Sequence, residues 1–173
     1  MTDISFYHLQ RSNLEDALPK LLELTLKAGK RALVRAGSAE RVEALNAILW
    51  THDKDSWLPH GTSKEGHAED QPIWLTTESD NPNEASFVFL TDGVEAQDMA
   101  TFERCFDLFD GNDDASVTAA RDRWKTLKEA GHDLHYWQQD EGGKWVEKAL
   151  GKLILILCLL GRSKNDGRTY CND

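Results

Sequence analysis

The segment Ile4–Ala36, ISFYHLQRSNLEDALPKLLELTLKAGKRALVRA, decides the fold class of this chain. Ile4–Gln10 predicts a first strand, and Asn13–Gly29 predicts a helix, because leucine and alanine recur near one helical face before a terminal glycine. Arg31–Ala36 predicts a short second strand. Pro19 conflicts with an uninterrupted helix, so it either kinks the helix or marks its first turn. This succession of strand, helix and strand favours an α/β sheet.

The alternation continues up to about residue 148. Ser38 is placed to cap a second helix that buries Val42, Leu45 and Leu49. The further predicted elements are strands at Pro72–Thr77, Ser86–Asp92 and Leu134–Gln138, a helix at Gln97–Phe109 with its methionine and phenylalanines at helical spacing, and a helix from Asn112 or Asp113 to Ala130. The order indicates a single α/β domain over residues 1–148, with a mostly parallel sheet and helices on both faces.

Two segments depart from this pattern. Thr51–Gln71 is a long polar connection, a kind of loop that is usually functional or mobile. Residues 149–173 open on the apolar run Leu153–Leu160, which is too short to span a membrane, and continue without periodicity. We expect residues 149–173 to be an atypical tail, either disordered or not native to the domain, and rest no function on them.

Composition narrows the class of protein. The net charge of −10 repels a phosphate backbone on average, so direct nucleic-acid binding is disfavoured unless a local basic patch exists. Cys105, Cys158 and Cys171 are odd in number and lack metal-type spacing, which favours a reducing cytoplasm. The chain shows neither a secretory signal nor a membrane span, so we expect a cytoplasmic protein.

The sequence carries little sign of catalytic chemistry. It has no GxGxxG after the first strand and no GxSxG, and Gly61–His67 (GTSKEGH) has His67 where a phosphate loop needs lysine. His132 and His135 are better explained as boundary residues than as metal ligands, so we predict no metal, no cofactor and no catalytic residue. A small nucleotide-dependent or hydrolytic α/β enzyme, using the cleft at the carboxyl ends of the strands, remains the alternative.

One constellation lies on the predicted helix before Ala130. Its apolar face is Val117, Ala120, Trp124 and Leu127, and beside it Arg121, Lys125 and Lys128 follow at i, i+4 and i+7. We call these three cations the cationic stripe. Flanked by an indole, the stripe is suited to an acidic peptide that ends in an apolar residue. The pattern alone favours the alternative, an ordinary solvated helix face with Trp124 in the core.

Several segments together resemble the chi subunit family of DNA polymerase III, over roughly residues 1–148. They are Phe6-Tyr7, Gly29–Val34 (GKRALV), Leu49–Gly61 (LWTHDKDSWLPHG), Gln71-Pro72-Ile73, Asn81-Pro82-Asn83, Phe102-Glu103-Arg104 through Phe109-Asp110-Gly111, and Ala120–Gly131 (ARDRWKTLKEAG). Their order and spacing carry the resemblance, since no single motif is diagnostic. The resemblance implies a nucleotide-binding-like, Rossmann-like fold without a nucleotide site and without catalytic activity of its own.

The resemblance also implies partners. It implies a clamp-loader-associated subunit that binds the acidic C-terminal tail of single-stranded-DNA-binding protein and reaches DNA only indirectly. The family's tail-binding arginine, aromatic residue and lysine correspond to Arg121, Trp124 and Lys125, with Lys128 adjoining; this chain has Trp124 where family members have tyrosine. The second implied partner is the psi subunit or another clamp-loader component. Trp57, Leu58 and His60 form a candidate surface for it, unless they only fasten the long loop to the core.

Overall fold

A computed structural model of the chain describes residues 2–53 and 57–148, and in these residues one eight-stranded sheet is flanked by three α-helices. The predicted tail, residues 149–173, lies outside the described residues. The strands are β1 Asp3–Leu9, β2 Ala32–Arg35, β3 His60–Thr62, β4 Ile73–Thr76, β5 Phe87–Leu90, β6 Arg104–Asp110, β7 Asp133–Gln139 and β8 Trp145–Glu147. The helices are α1 Leu14–Lys27, α2 Ala39–Thr51 and α3 Asp114–Glu129, with short 3-10 turns at Ala68–Asp70 and Met99–Thr101.

The sheet has the strand order β3-β4-β2-β5-β6-β1-β7-β8. Every neighbouring pair is parallel except β7 and β8, which form an antiparallel hairpin. The predicted α/β class, mostly parallel and Rossmann-like, is therefore confirmed. None of the helices in the described part of the chain has the length and apolar character needed to cross a bilayer.

The helices begin where polar side chains cap them. Asn13 Oδ1 accepts from the N–H of Asp16 at 2.8 Å, and Ser38 Oγ accepts from Arg41 at 3.2 Å, as predicted for Ser38. Asp113 caps α3 through the N–H groups of Ala115 and Ser116. In α1 the first helical residue is Leu14, so Pro19 lies inside the helix rather than in its first turn.

Strand alternation divides the core into two layers. On β1, Tyr7 and Leu9 join the cluster covered by α1 and α2, whereas Ile4 and Phe6 join the cluster covered by α3. The central strands β1 and β6 are buried on both faces at nearly every position, including the polar residues Ser5, His8 and Asp107. The prediction of helices on both faces of the sheet is thus confirmed. In the described residues, α1 and α2 cover one face and α3 covers the other.

The predicted helix at Gln97–Phe109 is wrong. Only Met99–Thr101 is helical, as a 3-10 turn, and Arg104–Asp110 is the strand β6 between β5 and β1. Phe106 packs on the α1 face and Phe109 on the α3 face, so their spacing reflects burial from two sides. A strand buried on both faces cannot be told from a buried helix by periodicity alone. The short strand β3, within the predicted long loop, was also missed.

Candidate functional site

A small apolar pocket lies between α3 and the sheet. It encloses about 40 Å³ and is lined by Phe6, Phe109, Val117, Ala120, Arg121, Trp124 and Tyr136. Strands β1, β6 and β7 each contribute one aromatic ring, and α3 contributes the rest. Arg121 is the charged residue of a lining that is otherwise mostly aromatic and aliphatic, so the pocket suits an apolar group that carries a negative charge beside it.

Trp124 is half-buried and forms one wall of this pocket. Its ring packs edge-on against Phe6, with centroids 5.1 Å apart, and against Tyr136, with centroids 6.0 Å apart. The indole therefore contributes to the core and also lines the pocket. The two interpretations of Trp124 left open by the sequence are compatible in this geometry.

The cationic stripe runs from the pocket along the outer side of α3. Arg121 is half-buried, and Lys125 and Lys128 are exposed. Among the described residues, none of the three forms an ion pair or a hydrogen bond with another side chain, and Arg121 Nε is buried without a hydrogen-bond partner. A buried guanidinium nitrogen without a partner is costly, so this group favours an incoming acceptor.

Arg123 differs from the stripe. Its Nε and Nη2 bind the two carboxylate oxygens of Asp107 at 2.7 and 2.9 Å, and both side chains are almost fully buried. Burial raises the pKa of Asp107, and the guanidinium of Arg123 opposes that rise. The charge of Arg123 is thus paired inside the domain, whereas the charges of the cationic stripe have no partner among the described residues.

His8 lies behind the pocket. Its ring stacks on Phe109 with centroids 5.1 Å apart, and its Nδ1 is 2.5 Å from the hydroxyl of Tyr136. Burial lowers the pKa of His8, and the charge of Arg121 acts in the same direction, while burial raises the pKa of Tyr136 to about 12. At neutral pH the His8 imidazole is therefore neutral, and its Nδ1 shares a hydrogen bond with the Tyr136 hydroxyl.

The predicted second partner surface, formed by Trp57, Leu58 and His60, contains both buried and exposed side chains. Leu58 is 4% exposed and belongs to the core cluster, and His60 is 6% exposed on the edge strand β3. Trp57 is 78% exposed, and Trp50 on α2, 61% exposed, lies against the His60 ring at 4.8 Å. Leu58 thus fastens the loop to the core, and the side chains left exposed at this place are Trp57 and Trp50.

The crevice where Rossmann-like folds hold nucleotides is present but acidic. A cavity of about 510 Å³ opens at the carboxyl ends of β1 and β6, and its lining includes Glu15, Asp16, Asp92 and Asp110. The lining holds two arginines: Arg41, already paired with Glu15 at 2.7 Å and Asp92 at 3.1 Å, and the exposed Arg11, so the four carboxylates outnumber the cations. These carboxylates, two of them in the first turn of α1, disfavour a phosphate at a place where helix N-termini usually attract one.

The histidines considered as metal ligands have ordinary surroundings. His67, Glu69 and Asp70 bring ligating atoms within 4.8 Å of one another, but all three are exposed. His135 is ion-paired with Glu147 through Nδ1 at 2.5 Å. Among the described residues, His67, Glu69 and Asp70 have no buried unpartnered atom, whereas Nδ1 of His132 and Oδ1 of Asp3, which lies 3.8 Å from His135 Nε2, are buried without a hydrogen-bond partner.

Comparison with known proteins decides the family. The sequence matches the family described as "DNA polymerase III chi subunit, HolC" over residues 1–135. The chain belongs to the DNA polymerase III chi subunit family. This family is an accessory component of the replicative polymerase, so membership places the chain among replication proteins.

Two relatives show how far the similarity to chi subunits extends. The chain is 29% identical over 90 residues to the "Probable DNA polymerase III subunit chi" of Rickettsia prowazekii (strain Madrid E), covering 52% of the chain but only 54% of that relative. It is 24% identical over 143 residues to the "DNA polymerase III subunit chi" of Escherichia coli (strain K12), covering 78% of the chain and 97% of that relative.

Within this chi-family chain, the sequence analysis missed four residues of the site: Phe6, His8, Phe109 and Tyr136. Alternation on β1 places Phe6 and His8 on one face, but which face α3 covers is a tertiary matter. Phe109 was assigned to a helix, so its position beside α3 could not be inferred. The family match covers all of α3 and ends at residue 135, just before Tyr136.

Proposed function

We propose that this chain is a non-catalytic, clamp-loader-associated subunit of the polymerase III holoenzyme in the bacterial cytoplasm, and that α3 binds the acidic C-terminal tail of single-stranded-DNA-binding protein. One observation carries the proposal. Three cations without a partner among the described residues lie at i, i+4 and i+7 on α3, and their first member borders an apolar pocket. An acidic peptide with an apolar end is complementary to both parts.

In this proposal each group of the site has its own role. The apolar side chain of the last peptide residue packs over the mouth of the pocket against Trp124, and Arg121 at the rim pairs with the terminal carboxylate. Lys125 and Lys128 pair with carboxylates further upstream. The helix rises about 10 Å over the seven residue steps from Arg121 to Lys128, a distance that about three residues of an extended peptide span.

The charge distribution supports a peptide rather than DNA as the direct ligand. The chain carries a net charge of −10, so its average surface repels a long phosphate backbone. A short acidic tail needs only the local field of the stripe, which lies within about one Debye length of every peptide charge. Contact with DNA is therefore indirect, through the partner protein.

Calorimetric titration with an acidic peptide that ends in phenylalanine tests the site. We expect Arg121→Ala and Lys125→Glu each to weaken binding more than about tenfold, since desolvated anchors typically cost about 2 kcal/mol or more when removed. Lys20→Glu is the matched control, because it makes the same charge change on the exposed surface of α1, beneath the other face of the sheet. Equal affinities in wild type, Arg121→Ala and Lys125→Glu, with unchanged melting temperatures, would contradict the assignment.

A second peptide isolates the role of the pocket. The same acidic sequence with a terminal serine retains every carboxylate and loses the apolar group. We expect its affinity to fall by about tenfold or more, because the apolar contact is lost while the ion pairs remain. Equal binding of both peptides would show that the stripe acts without the pocket.

We further propose that the exposed indoles of Trp57 and Trp50 contact the psi subunit or another clamp-loader component. Large exposed aromatic side chains are typical anchors of protein interfaces; here Trp50 lies against His60 of the edge strand β3, and Trp57 precedes that strand by three residues. Trp57→Ala should abolish co-purification of that component and leave binding of the acidic peptide unchanged. Leu24→Ala, which removes an exposed apolar side chain from α1, is the control.

A further inference from the structure

Two buried polar groups from different strands meet behind the pocket. The hydroxyl of Tyr136 on β7 is hydrogen-bonded to Nδ1 of His8 on β1, and His8 is 9% exposed. The ring of Tyr136 lines the pocket, and the ring of His8 stacks on Phe109, which lines it as well. The hydrogen bond thus links two of the aromatic walls.

We propose that His8 and Tyr136 form a positioning pair that sets the shape of the pocket and thereby selects the terminal apolar side chain of the bound peptide. The inference deepens the proposed function and rests on it. Neither residue supplies charge to the peptide; they act through the placement of Tyr136 and Phe109.

The surroundings hold this pair in one arrangement. The hydrogen bond of 2.5 Å between the Tyr136 hydroxyl and His8 Nδ1 restricts both rings, whichever of the two atoms carries the proton. Trp124 packs edge-on against that ring with centroids 6.0 Å apart, so a shift of Tyr136 would move the facing wall too. Close-packed rings transmit such shifts because the interior has few voids to absorb them.

Gly111 provides the space that His8 occupies. A Cβ at position 111 would lie 2.0 Å from His8 Cδ2 and 2.1 Å from Nε2, closer than any real contact. Gly111 does not have a positive φ, so alanine is tolerated by its backbone, and the conflict falls mainly on the imidazole and also on Gln10, whose Cγ would lie 2.7 Å from the new Cβ. Gly111→Ala therefore displaces His8 without changing either member of the pair.

The test compares selectivity rather than affinity. Two acidic peptides that differ only in a terminal phenylalanine or alanine are titrated into wild type, Tyr136→Phe, His8→Leu and Gly111→Ala. We expect the ratio of the two affinities to fall by about threefold to tenfold in each variant. A merely structural role would lower the melting temperature and weaken both peptides alike, which leaves the ratio unchanged.

A double variant and a control complete the experiment. If the hydrogen bond is the determinant, His8→Leu combined with Tyr136→Phe should reduce the ratio no more than either change alone. His135→Leu is the control, since His135 is the neighbouring residue of β7 on the opposite face. An unchanged ratio in all three single variants would overturn the inference while leaving the proposed function standing. Failure of the wild type to bind either peptide would overturn both.

Discussion

Arg123 and Asp107 form a two-pronged ion pair beneath α3, in which the side chains are 9% and 5% exposed. Two residues earlier on the same helix, Arg121 has no such partner among the described residues and faces the pocket. The helix thus presents one arginine to the interior and one to a ligand. Replacing Arg123 should therefore affect stability, and replacing Arg121 should affect binding.

Replacing Arg123 should act on stability alone. Arg123→Ala leaves the Asp107 carboxylate buried without its partner, which typically costs about 3–5 kcal/mol of the free energy of unfolding. The folded fraction should bind the acidic peptide with wild-type affinity. Denaturant unfolding and calorimetry measure the two quantities, and a specific loss of affinity in a stably folded Arg123→Ala protein would contradict this division of roles.

Trp124→Ala should reduce stability and binding together. The indole is half-buried and contacts both Phe6 and Tyr136, so its removal leaves a cavity as well as a widened pocket. We expect a loss of about 2 kcal/mol or more in the free energy of unfolding and more than tenfold in affinity. Trp57→Ala, at a 78% exposed position, should change stability by less than about 0.5 kcal/mol. A Trp124→Ala protein with wild-type stability would place the indole outside the core.

Binding of the acidic peptide should weaken as salt rises. Lys125 and Lys128 are exposed, so their attraction to carboxylates is screened over a Debye length of about 10 Å at 0.1 M salt. At low salt, Lys125→Ala should bind the peptide more weakly than wild type, and its affinity should decline less steeply as ionic strength rises. Titrations at several salt concentrations give both slopes, and identical slopes would remove Lys125 from the contact.

The ion pair of His135 should make stability depend on pH. The hydrogen bond with Glu147 raises the pKa of His135, and the nearby carboxylates of Asp3 and Asp133 add to this. Since the protonated form is favoured in the folded state, the stabilisation is complete below the ordinary histidine pKa of about 6.5. It is lost as pH rises through the raised value.

The corresponding measurement compares Glu147→Gln with wild type at two pH values. The pair is partly exposed, so we expect a loss of roughly 0.5–1 kcal/mol in the free energy of unfolding near pH 5.5 and almost none near pH 9. A larger loss of stability near pH 9 than near pH 5.5 would contradict the conclusion that the protonated form of His135 stabilises the fold.

Nucleotides should not stabilise the protein. The crevice at the carboxyl ends of β1 and β6 carries Glu15 and Asp16 in the first turn of α1, and its Arg41 is already paired. Thermal unfolding with millimolar nucleotide should therefore show no shift, whereas saturating acidic peptide should raise the melting temperature. A nucleotide-dependent shift that disappears in Arg41→Ala would favour the enzymatic alternative.

Local chemistry explains what the sequence predicted correctly. Ser38 and Asp113 cap helices wherever the chain meets them, because the hydroxyl or carboxylate reaches backbone N–H groups only two or three residues away. The stripe of Arg121, Lys125 and Lys128 is equally local, since the helical repeat alone aligns i, i+4 and i+7.

The errors occurred where burial came from distant parts of the chain. Met99, Phe102, Phe106 and Phe109 have the spacing of a helix, yet Met99 and Phe102 lie before β6, and Phe106 and Phe109 on β6 belong to different core layers. The same residues fit the spacing of a buried helix and that of a buried strand, because a central strand has apolar residues on both faces. Only the pairing of β6 with β5 and β1 distinguishes the strand from a helix.

The sequence by itself determined the caps, the alternation of strands and helices, and the cations along α3, because each depends on residues a few positions apart. The tertiary structure decided that Asp107 lies under Arg123 rather than Arg121, and that Phe6, Phe109 and Tyr136 converge beside Trp124. Those contacts join residues up to 130 positions apart in the chain, Phe6 with Tyr136, and depend on the parallel register of β1 with β6 and β7. Register is fixed by cooperative packing of the whole sheet, which no local pattern encodes.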